Sequence, residues 1–180
     1  PMKRLIITLQ LLLAALLVAG AQETLSRGVV VLPAQEEGNF VSWRMLATDD
    51  ANTVFDVVRD AQIVASGIKL TNYTDKGGKK DSFYQIVTRY KGKRETASAK
   101  VTPWDDLFLR MPVSRPEGGV TPDGRQYAYT PNDCSVGDVD GDGDYELILK
   151  WEPTNAHDNS HDGYTGNVIL DCYRLDGTQL

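Results

Sequence analysis

Short runs in which apolar and polar residues alternate cover Val29–Val101. Within Ser82–Tyr90 every second residue falls on one face of an extended strand, so that Tyr84 and Ile86 share a side. A period of two is typical of β-strands, and no long helical period occurs here. The pattern predicts an antiparallel β-sandwich. The predicted strands are Val29–Pro33, Asn39–Met45, Val54–Arg59, Gln62–Ser66, Ser82–Tyr90 and Ser98–Thr102.

The predicted sandwich extends over residues 22–111. It resembles a fibronectin type III-like module in the segments Phe55–Asp60, Thr71–Asp75 and Ser82–Ile86. One residue departs from ordinary turn chemistry, because Ala61 stands in a tight turn where Gly is favoured.

Proline and glycine are concentrated in residues 112–124, and this predicts a linker between two domains. Residues 125–180 predict three further strands, near Cys134–Asp138, Tyr145–Trp151 and Asn167–Leu175. Three strands form an unclosed sheet with bare edges, which is only marginally stable alone. We therefore expect the chain to be a truncated piece of a longer protein.

The beginning of the chain has the organisation of a secretory signal peptide. Lys3 and Arg4 precede the uncharged, mostly apolar run Leu5–Val18, and small residues end this region at Ala21. The run is short for a transmembrane helix, although an uncleaved membrane anchor is the alternative. The sequence predicts a signal peptide over residues 1–21, a secreted or periplasmic protein, and no membrane span in the mature chain.

Composition and charge exclude several classes of protein. The chain of 180 residues has 41% hydrophobic and 24% charged residues, values that exclude a wholly disordered, collagen-like or coiled-coil protein. Its formal net charge of −6 and its lack of a basic stretch argue against nucleic acid as a partner. In an oxidising compartment Cys134 and Cys172 could form one disulfide, and two buried free thiols are the alternative. We expect a monomer.

Carboxylates alternate through the segment Asp138–Glu146, at its first, third, fifth, seventh and ninth positions, and glycine occupies the sixth. This spacing directs several hard oxygens to one point, as Ca²⁺ requires, whereas without a cation the carboxylates would repel one another. The segment is not an EF-hand, because its twelfth position is Leu149 and a strand pattern follows. A solvated acidic turn is the alternative. The candidate calcium ligands are Asp138, Asp140, Asp142, Asp144 (through its backbone carbonyl) and Glu146.

The opposite rim of the predicted hairpin carries a second group of candidate residues. The start of the first strand and the end of the second lie at this edge, far from the acidic turn. The polar loop Pro153–Gly166 leaves from the same rim, and long ordered loops are often functional. The sequence allows four interpretations of this loop: a mobile polar loop, a substrate loop, a second calcium site, or a metal site formed by His157 and His161. Lys150 is either a strand-end charge or the partner of an anionic ligand. The candidate substrate-binding residues are Asn132, Asp133, Lys150, Glu152, His157 and Asp158.

The segment Asn132–Trp151 is similar to the first propeller blade of the family 11 rhamnogalacturonan lyases, a polysaccharide lyase family. The residues that continue this resemblance are Pro153, Asn155, Asp158–Ser160, Gly163–Asn167 and Leu175–Thr178. The segment from Gly28–Val31 through Val41–Arg44 is similar to the amino-terminal sheet domain of the same family.

The resemblance implies an all-β chain, with the sandwich followed by the first blade of a truncated, calcium-bearing, eight-bladed β-propeller. The parent enzyme would cleave the rhamnose–galacturonate backbone of a pectic polysaccharide, rhamnogalacturonan I, by β-elimination. Its catalytic residues are expected beyond residue 180, so the chain alone is expected to be inactive. A non-catalytic, calcium-dependent adhesion or carbohydrate-binding propeller protein is the alternative.

Overall fold

A computed structural model describes residues 24–90 and 93–180, apart from the side chains of residues 93–96. The predicted signal peptide lies outside this part of the chain. The described residues form strands, turns and loops without a helix, which confirms the all-β prediction. None of their segments is a long apolar helix of the kind that spans a membrane. The strands are β1 (Val30–Pro33), β2 (Asn39–Ser42), β3 (Val54–Arg59), β4 (Gln62–Ile68), β5 (Asn72–Asp75), β6 (Tyr84–Tyr90), β7 (Lys93–Ala97), β8 (Gly119–Val120), β9 (Gln126–Tyr127), β10 (Tyr129–Gly137), β11 (Glu146–Pro153) and β12 (Ile169–Tyr173).

The first seven strands form two antiparallel sheets, with strand orders β1-β2-β5 and β4-β3-β6-β7. Trp43 packs edge-on against Phe55 with their ring centroids 5.4 Å apart. One core contains side chains from both sheets, so the sheets pack against each other through their apolar faces. The buried residues of this core are Val31, Val41, Trp43, Phe55, Val57, Tyr84 and Ile86.

Two details of this region differ from the predicted strands. Ser98–Thr102 is not a strand, because only an isolated bridge joins Val101 to Tyr84. The outer neighbour of β6 is instead β7, whose mostly polar sequence lacks the alternation of apolar and polar residues that predicts a strand. In addition, Asn72–Asp75, which the predicted strands do not include, forms strand β5 and pairs with β2.

The hairpin between β3 and β4 has two turn residues in left-handed backbone conformations. Asp60 has φ 49° and Ala61 has φ 66°, as a type I′ turn requires. Position 61 therefore favours the glycine that the sequence lacks. The Asp60 carboxylate accepts hydrogen bonds from the backbone of Phe83 and the hydroxyl of Ser82, and these bonds hold the turn against the start of β6.

Within the predicted linker, the two-residue strand β8 pairs with β9. Strands β10, β11 and β12 then form an antiparallel sheet in that order, in agreement with the three strands expected from the sequence. The acidic segment joins β10 to β11, and residues 154–168 join β11 to β12. One face of this sheet carries the second core, formed by Tyr129, Leu149, Trp151 and Tyr173.

The two cysteines are free thiols in the structure. Cys134 pairs with Leu149 and Cys172 with Ile148, on opposite sides of the central strand β11. Because successive residues of β11 point to opposite faces, the two thiols lie on opposite faces as well as on different outer strands. The pairing excludes a disulfide in this fold, and Cys134 is exposed, unlike the buried thiol in the alternative prediction.

Candidate metal centre and sheet rim

Backbone amides fold the acidic segment around its own carboxylates. The Asp138 carboxylate accepts hydrogen bonds from the amides of Gly141, at 2.8 Å, and Gly143, at 3.1 Å. The amide of Asp142 donates to the Asp140 side chain, and the amide of Asp144 donates to the Asp142 side chain. These bonds make a compact turn from a sequence in which alternate positions are acidic.

Glu146 is the most buried carboxylate of the segment, with 1% of its surface exposed. Its Oε2 accepts a hydrogen bond from the amide of Val139 at 2.8 Å. Oxygens of Asp138, Asp140 and Glu146 lie within 4.8 Å of one another. Three carboxylates at this separation repel one another, and a set of hard oxygens fits Ca²⁺ in chemistry.

The side chains of Asp142 and Asp144 are not part of this carboxylate group. Asp142 is exposed and binds the Asp144 amide. The Asp144 carboxylate turns toward Ser26, whose hydroxyl donates a hydrogen bond to Asp144 Oδ1 at 2.5 Å. Of the five predicted ligands, the structure therefore brings three carboxylates together.

Arg174 is a residue of this site that the sequence reasoning missed. Its guanidinium forms an ion pair with Asp140 and holds the pKa of that carboxyl below its ordinary value. The contact could have been predicted from the antiparallel pairing of β11 with β12. In this pairing β12 ends where β11 begins, and Tyr173 pairs with Leu147. The residue after Tyr173 is therefore carried to the acidic end of the sheet.

The predicted rim contains a break in strand pairing. Pro131 pairs with Trp151 and Cys134 with Leu149, so that Asn132 and Asp133 together oppose Lys150. Two residues opposite one make a β-bulge, a device that redirects side chains and is frequent beside active sites. Strand β10 begins three residues before Asn132, so the bulge lies within the strand pair rather than at its very end.

Charge partners surround Lys150 at this bulge. Its ammonium forms an ion pair with Glu152 on the same strand face. Glu152 raises the pKa of Lys150, and the charge of Asp133 adds to this effect. The structure thus brings together four of the predicted rim residues: Asn132, Asp133, Lys150 and Glu152.

His157 and Asp158 lie in the exposed loop between β11 and β12. The backbone of Ser160 donates to the Asp158 carboxylate at 2.8 Å and lowers the pKa of Asp158. The rings of His157 and His161 are 6.2 Å apart, tilted to each other. Among the described residues, no hydrogen bond or ion pair joins this loop pair to the bulge.

The acidic segment also touches the first sheet unit, by which we mean the two sheets of β1–β7 together with residues 24–29, which precede β1. The sequence spacing did not indicate this contact. The amide of Ser26 donates to the carbonyl of Gly143 at 2.7 Å. The guanidinium of Arg44 lies over the ring of Tyr145, 4.2 Å from its centroid. Fold and site together define an all-β protein with two sheet units joined at an acidic, strand-to-strand turn.

Two family descriptions match the chain. "Rhamnogalacturonan I lyases beta-sheet domain" matches residues 21–104, and "Rhamnogalacturonan lyase family 11, C-terminal domain" matches residues 108–180. The chain belongs to the family 11 rhamnogalacturonan lyases.

Curated relatives and solved structures agree with this assignment. The rhamnogalacturonan exolyase YesX of Bacillus subtilis is 49% identical over 160 residues, 88% of this chain. The endolyase YesW of the same bacterium is 49% identical over 163 residues, 90% of this chain. The chain spans about a quarter of each relative, 26% of its length. The crystal structure of YesX superposes with a TM-score of 0.83 at 50% identity, covering 88% of this chain and 26% of that one. A Bacillus licheniformis rhamnogalacturonan lyase superposes with a TM-score of 0.80 at 44% identity, covering 87% and 27% of the two chains.

Proposed function

We propose that this chain is part of a secreted or periplasmic polysaccharide lyase that cleaves the backbone of rhamnogalacturonan I by β-elimination. The observation that carries the proposal is the 49% identity to two rhamnogalacturonan lyases over about nine tenths of the chain. Because the chain spans 26% of those relatives, the activity is proposed for the whole protein.

In β-elimination a base removes the proton at C5 of the uronate, negative charge builds on its carboxylate, and the 4-linked sugar leaves without water. Cationic groups beside the uronate stabilise that charge. The catalytic base is not assigned to a residue of this chain. We expect the isolated chain to be inactive.

We propose that the acidic segment binds Ca²⁺ through Asp138, Asp140 and Glu146, with Asp142 and the backbone carbonyl of Asp144 completing the set. Support comes from the grouping of three carboxylate oxygens within 4.8 Å and from the burial of Glu146. When bound, the cation would neutralise these carboxylates. The bulge lies opposite Lys150, four residues along β11 from Glu146, so the segment and the bulge are about 13 Å apart at roughly 3.3 Å per residue. The cation would thus stabilise the hairpin without touching a sugar held at the rim.

We further propose that the first two sheets are a fibronectin type III-like sandwich and that β10–β12 belong to the first blade of an eight-bladed propeller. The rim would then meet the substrate, with Lys150 offering a cation to a uronate. The proposed substrate-binding residues are Asn132, Asp133, Lys150, Glu152, His157 and Asp158.

The test uses the product of the full-length gene with debranched rhamnogalacturonan, in Ca²⁺ and after chelation. We expect absorbance from 4,5-unsaturated uronate to rise with time in Ca²⁺, and we expect the rate of this rise to be lower after EDTA treatment. Sugar binding without unsaturated product would contradict the lyase proposal and favour the non-catalytic alternative. The sizes of the first products separate internal from terminal cleavage, since the two relatives of equal identity differ in this property.

A further inference from the structure

We propose that the acidic segment is also the attachment point of the first sheet unit, so that Ca²⁺ bound in the segment strengthens the docking of Thr24–Gly28. This inference rests on the calcium site of the proposed function and adds to it a second role, the coupling of two sheet units. It concerns contacts that are separate from the sugar-binding rim.

Residues 143 and 144 of the segment are both bound to Ser26. The amide of Ser26 donates to the carbonyl of Gly143 at 2.7 Å, and its hydroxyl donates to the carboxylate of Asp144. The same hydroxyl accepts a hydrogen bond from the amide of Gly28 at 3.0 Å, which orients it. Asp144 therefore directs its side chain to the first unit, while its amide donates to Asp142 within the segment.

Gly143 is required by this close approach. A Cβ at position 143 would lie 2.8 Å from the carbonyl oxygen of Thr24 and 3.2 Å from the amide nitrogen of Ser26. Gly141, in the same segment, has a similar positive φ, but a Cβ there would meet nothing within 4 Å. Glycine suits the backbone conformation at both positions, but only at position 143 does the contact with Thr24 and Ser26 also require it.

Arg44 provides a second connection at the same place. Its guanidinium lies over the ring of Tyr145, and it donates to the carbonyl of Ser26 at 3.4 Å. A cavity of about 1170 Å³ lies beside these contacts, lined by residues of both units that include Trp104, Asp142 and Arg174. The contacts of Ser26 and Arg44 therefore connect the two units beside this cavity.

The coupling has a direct physical cause. Mutual repulsion of the carboxylates loosens the turn without a cation, and a loosened turn does not hold the Gly143 carbonyl in place for Ser26. A cation that orders the turn preorganises this acceptor. Linkage is reciprocal, so a docked segment must also increase the affinity of the turn for Ca²⁺ by the same factor.

The test is amide hydrogen exchange of the whole 180-residue chain with and without Ca²⁺, together with calcium titration calorimetry. We expect Ca²⁺ to slow the exchange of the Ser26 amide by about tenfold, a typical coupling factor. We expect Ser26→Ala to weaken Ca²⁺ binding about fivefold, the value of one hydrogen bond. Gly143→Ala should weaken Ca²⁺ binding more than its matched control Gly141→Ala.

The outcomes separate this inference from the calcium site itself. Calcium binding with unchanged exchange at Ser26 would overturn the coupling and leave the site intact. Equal effects of Gly143→Ala and Gly141→Ala would overturn it too, because the contact to Thr24 would then be irrelevant. Absence of calcium binding to the unaltered chain would overturn both proposals. The exchange measurement requires no variant, so a variant that fails to fold does not prevent the test.

Discussion

Arg174 forms an ion pair with Asp140, although 34 positions separate the two residues in the sequence. The pair sets a guanidinium beside the acidic segment, where it offsets part of the repulsion among the carboxylates. A cation at the same carboxylates would be repelled by Arg174. The arginine and a bound metal ion therefore compete for the charge of Asp140.

Replacement of this arginine tests the competition. We expect Arg174→Gln to raise the affinity for Ca²⁺ about two- to fivefold, corresponding to an exposed ion pair worth up to about 1 kcal/mol. The gain should shrink in high salt, because screening weakens exposed charge interactions. Calorimetric titration measures it, and Arg125→Gln, which breaks a pair with Asp123 outside the segment, is the control of equal charge change. A lower affinity in Arg174→Gln would show that Arg174 supports the site.

Removal of Asp140 tests the metal centre through stability. We expect Asp140→Ala to lower the melting temperature in Ca²⁺ and to have a smaller effect after chelation, since only the bound state loses a ligand. Differential scanning calorimetry in both conditions measures this difference. Asp176→Ala is the control, because Asp176 is an exposed carboxylate with a local hydrogen bond to Thr178. Equal losses with and without Ca²⁺ would contradict a ligand role for Asp140.

The turn after β3 gives a prediction that does not depend on metal. Ala61→Gly should stabilise the protein by about 1 kcal/mol, because alanine at φ 66° carries a strain that glycine avoids. The reciprocal change Gly67→Ala, at φ 69° with open space for a Cβ, should destabilise by a similar amount. Urea unfolding measures both. A loss of stability in Ala61→Gly would mean that unfolded-state entropy outweighs the strain.

The ion pair of Arg27 and Asp49 predicts a pH dependence in the first sheet unit. Arg27 donates two hydrogen bonds to Asp49, at 2.5 and 2.6 Å, and holds the pKa of this carboxyl below its ordinary value of 3.8. A lowered folded-state pKa adds stability that is complete above the unfolded pKa and is lost as the pH falls through the folded pKa. We expect Asp49→Asn to cost about 2 kcal/mol at pH 7, and we expect this cost to decrease as the pH falls below 3.8. Urea unfolding across this range, with Asp106→Asn as an exposed control, measures it; a cost independent of pH would contradict the ionic role.

Local sequence pattern was sufficient wherever alternation and turn residues agree. Strand β3 has the predicted bounds, because apolar alternation ends at the tight turn of Asp60 and Ala61. Strand β7 was missed because Lys93–Ala97 is mostly polar, and its pairing depends on β6.

Contacts between distant parts of the chain could not be predicted in the same way. The bulge at Asn132 and Asp133 depends on the register between β10 and β11, which no single segment specifies. The contact of Ser26 with Gly143 depends on how two sheet units pack. The acidic spacing correctly indicated a compact turn with grouped carboxylates, but it did not reveal that the Asp144 side chain turns away to Ser26.

Calcium titration calorimetry of the chain and of Glu146→Gln decides whether the acidic segment binds Ca²⁺, because Glu146 is the buried member of the carboxylate group. We expect saturable binding to the unaltered chain, and we expect Glu146→Gln to abolish this binding or weaken it at least tenfold. Absence of saturable heat from the folded chain, or equal binding by the two proteins, would contradict this expectation.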